Sequence, residues 1–528
     1  MRWSKEKNNI NGSLAYFLLC CHSKNNLEMA KKDTTSLGFE EKIWKAADVL
    51  RGNLSASQYE GVVLGLIFLK HISDCFDSKY QELLEDEYAD EEDKDEYLAE
   101  NIFFVPEEAR WKKISEAAHT SKIGKVIDDA FIAIENENVK LKGVLPKNFA
   151  RPELDKRRLG EVVDIFTNTK MDDAGEERDV LGRTYEYCLQ KFASLEGKNG
   201  GEFYTPSCIV RCLVEIIQPY EGRVYDPCCG SGGMFVQSAK FIERHQGNLH
   251  KISVYGQEAN PDTWKIAQMN LAIRGLEANL GNTFADTFSN DLHATLKADF
   301  ILANPPFNLS EWGLKELKED VRWQYGLPPA GNANFAWMQH MIHHLSPNGR
   351  IGLVLANGSL SSQTGGEGEI RKAIIEADLV EGIVALPSQL FYSTGIPVCL
   401  WILSRKKEQK GKVLFIDARD MGEMVTRRVR ELQEEDIMKI SGCFDDFRNG
   451  KLKDEKGFCY VATLDEIAKQ DYVLTPGRYV GIADEEEDKE PYEEKVSRLS
   501  SEISELFKQS RIQEEEIRMQ LSKIGINL

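Results

Sequence analysis

A chain of 528 residues, 42% hydrophobic and 29% charged, has room for three or four structural units of roughly 150 residues each. No apolar run approaches the ~20 residues of a membrane span, which excludes a helical membrane protein, and eleven cysteines without zinc-type pairing read as free thiols of a reducing cytoplasm. A formal charge of −20 argues against a protein that grips nucleic acid unaided, because phosphate contacts draw on Lys and Arg.

At the start, Arg2, Lys5 and Lys7 precede the apolar run Leu14 to Cys21, the pattern of a short secretory signal, but no small-residue cleavage site follows. Met29-Ala30-Lys31-Lys32 looks a more natural beginning, so residues 1–36 are expected to form a disordered extension. Residues 37–170 read as an all-helical domain. Ser36 is placed to cap a helix with Ile43, Ala47 and Leu50 on one face. Ser57-Gln58-Tyr59-Glu60 then forms a capping box for a longer helix carrying Val62, Leu66, Leu69, Ile72 and Phe76. The run from Glu85 to Glu96, nine acids in twelve residues, has the composition of a solvated loop.

Past the flexible stretch Lys198-Asn199-Gly200-Gly201 the pattern changes to strands alternating with helices. Arg223-Val224-Tyr225-Asp226-Pro227-Cys228-Cys229-Gly230-Ser231-Gly232-Gly233 reads as a short buried strand breaking into a glycine-rich turn, followed by the helical run Met234 to Arg244. Glycines admit a ligand close to the backbone, the helix N-terminus favours polar or anionic groups, and the Asp226 carboxylate suits a cationic or amino group. The spacing is neither the GxGxxG fingerprint nor a P-loop, and structural turns of this composition outnumber cofactor loops. The next strand, Ser253 to Gln257, ends in Glu258, an acidic residue placed to accept hydrogen bonds from a ribose diol.

After a short strand near Asn279, Phe300 to Ala303 forms a buried strand that stops on Asn304-Pro305-Pro306-Phe307. Two prolines stiffen this exit, so the carbonyls of Asn304 and Pro305 are aimed with little entropy left to lose, and both suit a planar amino group. Accepting both of its protons draws the nitrogen lone pair out of ring conjugation, and Phe307 offers a stacking face to a flipped base. A rigid strand-to-loop exit is the competing reading of the same residues.

Asn332-Ala333-Asn334 caps a helix whose His340 and His344 share a face at zinc-like spacing; the Glu of HExxH is missing and Met338, Met341, Ile342 and Leu345 mark a core face, so no metal is expected. Further strands at Ile351 to Ala356, Val380 to Leu386 and Val398 to Leu403 complete a doubly wound, mainly parallel α/β sheet over 171–480, its ligand expected at the carboxyl ends of the strands. In 481–528, Asp484 to Glu494 has eight acids in eleven residues and leads past Pro491 to a helix. Val496, Leu499, Ile503 and Leu506, then Ile517, Leu521 and Ile524, give it an apolar stripe interrupted at Ser510 and Gln513. It either docks on a partner or folds back on the chain.

Together, the Asp226 to Gly233 loop and Asn304 to Phe307 resemble the adenine-N6 DNA methyltransferases that use S-adenosylmethionine. Asp179 to Tyr187 and Gly200 to Pro206 extend the resemblance to the modification subunit of type I restriction-modification systems, over roughly residues 37 to 480. The resemblance implies a catalytic subunit that methylates adenine N6 in DNA at a site chosen by a separate specificity subunit, with a second modification subunit, a restriction subunit and a cytoplasmic location. It implies a cofactor lid at Glu202, Phe203, Tyr204, Thr205, Pro206 and Ser207. It further implies methionine contacts at Asp226, Gly230, Ser231 and Gly232, a ribose contact at Glu258, and catalysis by Asn304, Pro305, Pro306 and Phe307. Asn334 and Phe335 are implied to face the base pocket, the helical domain to help close around DNA, and the last helix to join the specificity subunit. Where related enzymes hold an acidic residue near the cofactor's adenine, Gly281-Asn282-Thr283 offers an amide, with Asp286 close by. Methylation of a glutamine amide in a protein, or an inactive assembly scaffold, are the alternative readings.

Overall fold

The computed structural model describes residues 37–48, 50, 56–168, 180–195, 204–391, 395–482 and 492–523. The expected extension 1–36, and Glu202 and Phe203 of the lid, lie outside them. The chain divides into two compact units, Met1–Val480 and Gly481–Leu528.

The first unit begins with helices Leu37–Asp48, Ala56–Glu85, Lys94–Leu98, Trp111–Ala117, Ile123–Glu137 and Lys156–Asn168. Ala56–Glu85 is the long helix expected after the Ser57 to Glu60 box, and the Ser57 side chain of that box lies outside the described residues. Its single apolar face was also too modest an expectation: Val62, Val63, Leu64, Leu66, Ile67, Phe68 and Leu69 are all buried. A helix covered on every side over 62–69 is central to its bundle there, while its last turns expose Ser78, Gln81, Glu82 and Leu84. It packs on Val180–Leu195 and on Pro261–Ile273, so one apolar core runs from the helical segment into the sheet region. The acidic run 85–96 is mostly exposed, as its composition implies.

The strands are β1 (Gly222–Asp226), β2 (Ile252–Gly256), β3 (Ala278–Asn279), β4 (Ala298–Ala303), β5 (Leu345–Ala356), β6 (Val380–Ala385), β7 (Val398–Ser404), β8 (Lys412–Asp417), β9 (Glu423–Met424), β10 (Arg430–Glu431) and β11 (Cys459–Thr463). Nine of them form one sheet in the order β11-β8-β6-β7-β5-β4-β1-β2-β3, and β9 pairs with β10 as a small hairpin. Every strand of the large sheet runs parallel except β7, held antiparallel between β5 and β6, and the edge strand β11. β1 therefore has β2 on one side and β4 on the other, the switch point at whose carboxyl edge α/β sheets bind ligands.

Sequence patterning did not identify β8, β11 or the hairpin. Val413 to Ile416 is a short apolar run that periodicity alone leaves open between helix and strand. Helix Glu434–Arg448 covers this part of the sheet, and Gly382 of β6 admits it, since a β-carbon there would lie 2.6 Å from the Phe444 ring. Helix Ser207–Ile217 is buried along Ile209, Leu213 and Ile216 and packs on Glu434–Arg448, Gly233–Arg244 and β5.

The second unit contains the 32-residue helix Tyr492–Lys523, about 48 Å long. Val496, Leu499, Ile503 and Leu506 are 40–58% exposed along it. Ile524 lies outside the described residues. No described helix is long and apolar enough to cross a membrane.

Candidate active site

Asp226 closes β1 and is 2% exposed, its Oδ1 accepting from the backbone N–H of Cys228 at 3.0 Å. The chain then turns through Gly230 and Gly232, both at positive φ, and Gly232 is the N-cap of helix Gly233–Arg244. Its φ of 81° lies where a side chain is strained, which is why a glycine stands there. Just past β2, Glu258 reaches back to this loop: its Oε2 accepts from Gly230 N–H at 3.0 Å and its Oε1 from Asn260 N–H at 2.8 Å. Residues 28 apart in sequence, Gly230 and Glu258, are thus joined directly.

Both carboxyls are starved of positive charge. Burial, with Glu258 adding to it, pushes Asp226 up to about 7 despite the Cys228 bond, and burial also raises Glu258. Among the described residues neither carboxyl forms an ion pair. A buried acid beside a half-buried one, without a cation, forms a site that a cationic ligand relieves.

Opposite them, β4 delivers Asn304. Its Nδ2 donates to Thr205 Oγ1 at 2.9 Å, while its Oδ1 is buried with no hydrogen-bond partner. A buried carbonyl oxygen left unpaired costs on the order of 1–3 kcal/mol, so an acceptor held there against solvent is aimed at something that comes and goes. Thr205, Asp226, Gly230, Ser231 and Asn304 line one narrow cleft. A neighbouring narrow cleft is lined by Tyr204, Thr205, Ser207, Ser231 and Gly233. Pro206 ends this segment as the N-cap of Ser207–Ile217. The structure thus brings together the described part of the expected lid, the glycine loop, the two acids and Asn304.

The tetrapeptide's exit is locked by an asparagine pair. Asn334 Nδ2 donates to Asn308 Oδ1 at 2.9 Å and its Oδ1 accepts from Asn308 N–H at 3.0 Å, holding Asn308 at a φ of 55°. Asn332 caps the N–H of Asn334 at 2.9 Å. Asn334 therefore braces the loop behind Phe307, while Phe335 is wholly buried, edge-on to Trp401. Phe307 itself meets Phe391 edge-to-face at 5.7 Å.

Several supports carried no sequence signal. Phe391 is 84 residues from its partner ring. Asn270 donates to the Ser231 carbonyl at 2.6 Å and receives a bond from Arg274, which also binds the Gly182 carbonyl at 2.7 Å. Glu186 takes Gln237 at 3.1 Å and Lys240 at 3.0 Å, tying helix Val180–Leu195 to the helix that follows the glycine loop. Arg322 spans Asp320, the carbonyls of Thr287 and Phe288, and His340, and Thr287 donates to the Pro227 carbonyl at 2.5 Å. Asp286, expected near the cofactor's adenine, accepts from Ser289 at 2.8 Å one residue past Ala285, whose N–H binds the Glu258 carbonyl.

The histidines acquire a partner that spacing could not reveal. Asp291, His340 and His344 bring their ligand-type atoms within 4.8 Å of one another. A guanidinium only donates, so Arg322 makes His340 Nδ1 an acceptor, and His340 Nε2 lies 3.1 Å from the Tyr225 hydroxyl. Burial first, then His344 and Arg322, holds His340 well below its usual range, which keeps it neutral. Although burial opposes it, the hydrogen bond from His344 at 2.9 Å brings Asp291 down to about 2. The permanent charge of Arg322 disfavours a second cation here.

A family model described as N-6 DNA Methylase matches residues 176–488, and one described as HsdM N-terminal domain matches 39–166. The chain is 49% identical over 442 residues to the type I restriction enzyme HindI methylase subunit of Haemophilus influenzae, covering 80% of this chain and 100% of that one. It is 40% identical over 513 residues to the MjaIX methylase subunit of Methanocaldococcus jannaschii, covering 92% and 90%. Among solved structures, the type I restriction-modification system methyltransferase subunit from Streptococcus thermophilus superposes with a TM-score of 0.72 at 25% identity, covering 85% of this chain and 100% of that one.

Proposed function

We propose a mechanism from one premise: the chain belongs to the N-6 DNA methylase family, as a methylase subunit of a type I restriction enzyme, and is an adenine-specific DNA methyltransferase. The observation that carries the mechanism is the buried, unpaired Oδ1 of Asn304, a residue that lines one cleft with Asp226.

The two uncompensated acids and the glycine turn fit S-adenosylmethionine, which carries a sulfonium and an ammonium. Asp226, Gly230, Ser231 and Gly232 would hold its methionine part, Glu258 its ribose, and Glu202 to Ser207 would cover it. When bound, it supplies an electrophilic methyl group on sulfur. Asn304 Oδ1 and the Pro305 carbonyl accept the two N–H bonds of the target amine, which localises the nitrogen lone pair for in-line attack. Pro306 stiffens the exit and Phe307 stacks on the flipped adenine, with Phe391 buttressing its edge. The surplus proton leaves to solvent, and positioning supplies the rate.

Residues 37–170 serve as the helical domain, 171–480 as the catalytic domain and 481–528 as linker and partner helix. DNA, a site-choosing specificity subunit, a second modification subunit and a restriction subunit complete the assembly. Glutamine-amide methylation and an inactive scaffold find no support among the relatives. The test is methyl transfer from labelled S-adenosylmethionine to DNA, with and without the specificity subunit: transfer to adenine only in its presence is expected, and transfer to a protein glutamine instead refutes the reading.

The Asp226 shift has a signed consequence. A cationic ligand favours the ionised carboxyl, so binding below about pH 7 must first release a proton. Cofactor affinity is expected to be about tenfold weaker at about pH 6 than at about pH 8, and Asp226→Asn to flatten this profile while lowering affinity at the higher pH. Without ligand the sign reverses. This carboxyl's contribution to stability is fully present below its unfolded pKa of about 4 and is lost as pH rises through about 7. Calorimetric titration in buffers of different ionisation heat counts the released proton; an unchanged profile in the variant removes Asp226 from the site. Alanine at Asp226 or Glu258 should cost about 1.5–3 kcal/mol of binding, the size of a charge-assisted contact.

A further inference from the structure

The charge of −20 leaves open where this protein itself touches a polyanion. One projection answers to that need. β9 and β10 form a hairpin in which Met424 pairs with Arg430, and the N–H groups of Val425 and Thr426 both bind the Val429 carbonyl, at 3.0 and 3.2 Å. The Thr426 hydroxyl accepts from the N–H groups of Arg428 and Val429 at 3.2 and 3.1 Å, which shapes the tip. Met424 and Val425 are 44% and 49% exposed, and Thr426, Arg427 and Arg428 are exposed with them. Glu423 and Glu431 stand at the base. Among the described residues neither arginine side chain has a hydrogen bond or an ion pair. Two adjacent arginines thus project from a tip whose backbone is fixed by its own hydrogen bonds.

The hairpin is also tied to the site. It follows β8, which runs parallel to β4, so it leaves the same sheet edge that carries Asn304. Arg430 N–H binds the Gln389 carbonyl at 2.9 Å, and its guanidinium holds the Met421 carbonyl at 2.9 Å. Two residues beyond Gln389 lies Phe391, whose ring meets Phe307. The base of the hairpin is thus continuous with the wall of the pocket assigned to the target adenine.

We propose that the Glu423–Glu431 hairpin is a DNA-backbone clamp, in which Arg427 and Arg428 bind phosphates flanking the flipped adenine and so set the register of that base over Asn304. The assignment rests on the function proposed above. These arginines are positioning residues, acting on DNA through phosphate and not on the reacting atoms. The alternative is a pair of arginines that only solubilises an exposed turn.

The two readings separate in the complete assembly with its specificity subunit and cognate DNA. Each phosphate contact adds about 0.9 to the slope of log affinity against log salt. The Arg427→Ala, Arg428→Ala double variant should lower that slope by about 2 and raise the KM for DNA. Its kcat at saturating DNA and its affinity for S-adenosylmethionine should stay at the wild-type level, and lysine at both positions should restore the slope. An unchanged slope with wild-type methylation intact overturns the clamp alone. A wild-type assembly that fails to methylate DNA overturns the proposed function, and the clamp with it.

Discussion

Replacing Asn304 by alanine is expected to reduce DNA methylation by at least about a hundredfold, while the affinity for S-adenosylmethionine stays within about threefold of wild type. The rate loss follows from removing one preorganised acceptor, a contact worth about 3 kcal/mol of barrier or more if the base no longer docks. Preserved binding follows from the division of the cleft, in which Asp226, the glycine turn and Glu258 stand on β1 and β2 while Asn304 stands on β4. Stability should change little. The substitution deletes the bond to Thr205 at 2.9 Å, but it also deletes a buried oxygen that has no partner, and these effects oppose each other at about 1 kcal/mol each. Single-turnover methylation, calorimetric binding and thermal unfolding measured together test all three statements. Wild-type turnover in the variant removes Asn304 from the chemistry. A collapse of cofactor binding instead assigns it to the cofactor.

Truncation before Pro491 should have the second large effect, on assembly. The shortened chain is expected to fold, bind S-adenosylmethionine normally, and fail to co-purify with the specificity subunit, so that methylation at the specific site is lost. The helix Tyr492–Lys523 forms most of a unit with no sheet and no second described helix, and Val496, Leu499, Ile503 and Leu506 stay about half exposed on it. Covering the remaining half of four such side chains is worth on the order of 3–6 kcal/mol, or a hundredfold to ten-thousandfold in affinity. Co-purification at normal stoichiometry without these residues shows that the assembly is held elsewhere. Polar replacements at Leu499 and Ile503 in the full-length chain supply the same test without deleting backbone.

Local chemistry is what the amino-acid sequence determined by itself. A strand that stops on Asn304-Pro305-Pro306-Phe307, a strand that breaks at Asp226 into glycines, and an acid at the end of the next strand are each set by residues within a few positions of one another. Steric limits on proline and glycine and the two-residue period of a strand act over that range. Those signals placed the site at the carboxyl edge of a mainly parallel sheet. The long helix at Ala56–Glu85 was legible as a helix but not as the centre of a bundle, because its neighbours Val180–Leu195 and Pro261–Ile273 are separated from it in sequence.

Tertiary structure alone decided the contacts among the candidate site residues. Thr205 meets Asn304 across 99 residues, Phe307 meets Phe391 across 84, and Asn308 meets Asn334 across 26. The antiparallel insertion of β7 between β5 and β6 brings β6 and β8, and hence Gln389, Phe391 and the arginine hairpin, to the edge that carries the tetrapeptide. Electrostatics was decided there as well. Asp226 is an ordinary carboxyl in the sequence and is pushed up to about 7 because folding removes it from water, sets Glu258 beside it and leaves both without a cation among the described residues. Desolvation is a property of the packed neighbourhood, so no pattern along the chain encodes it.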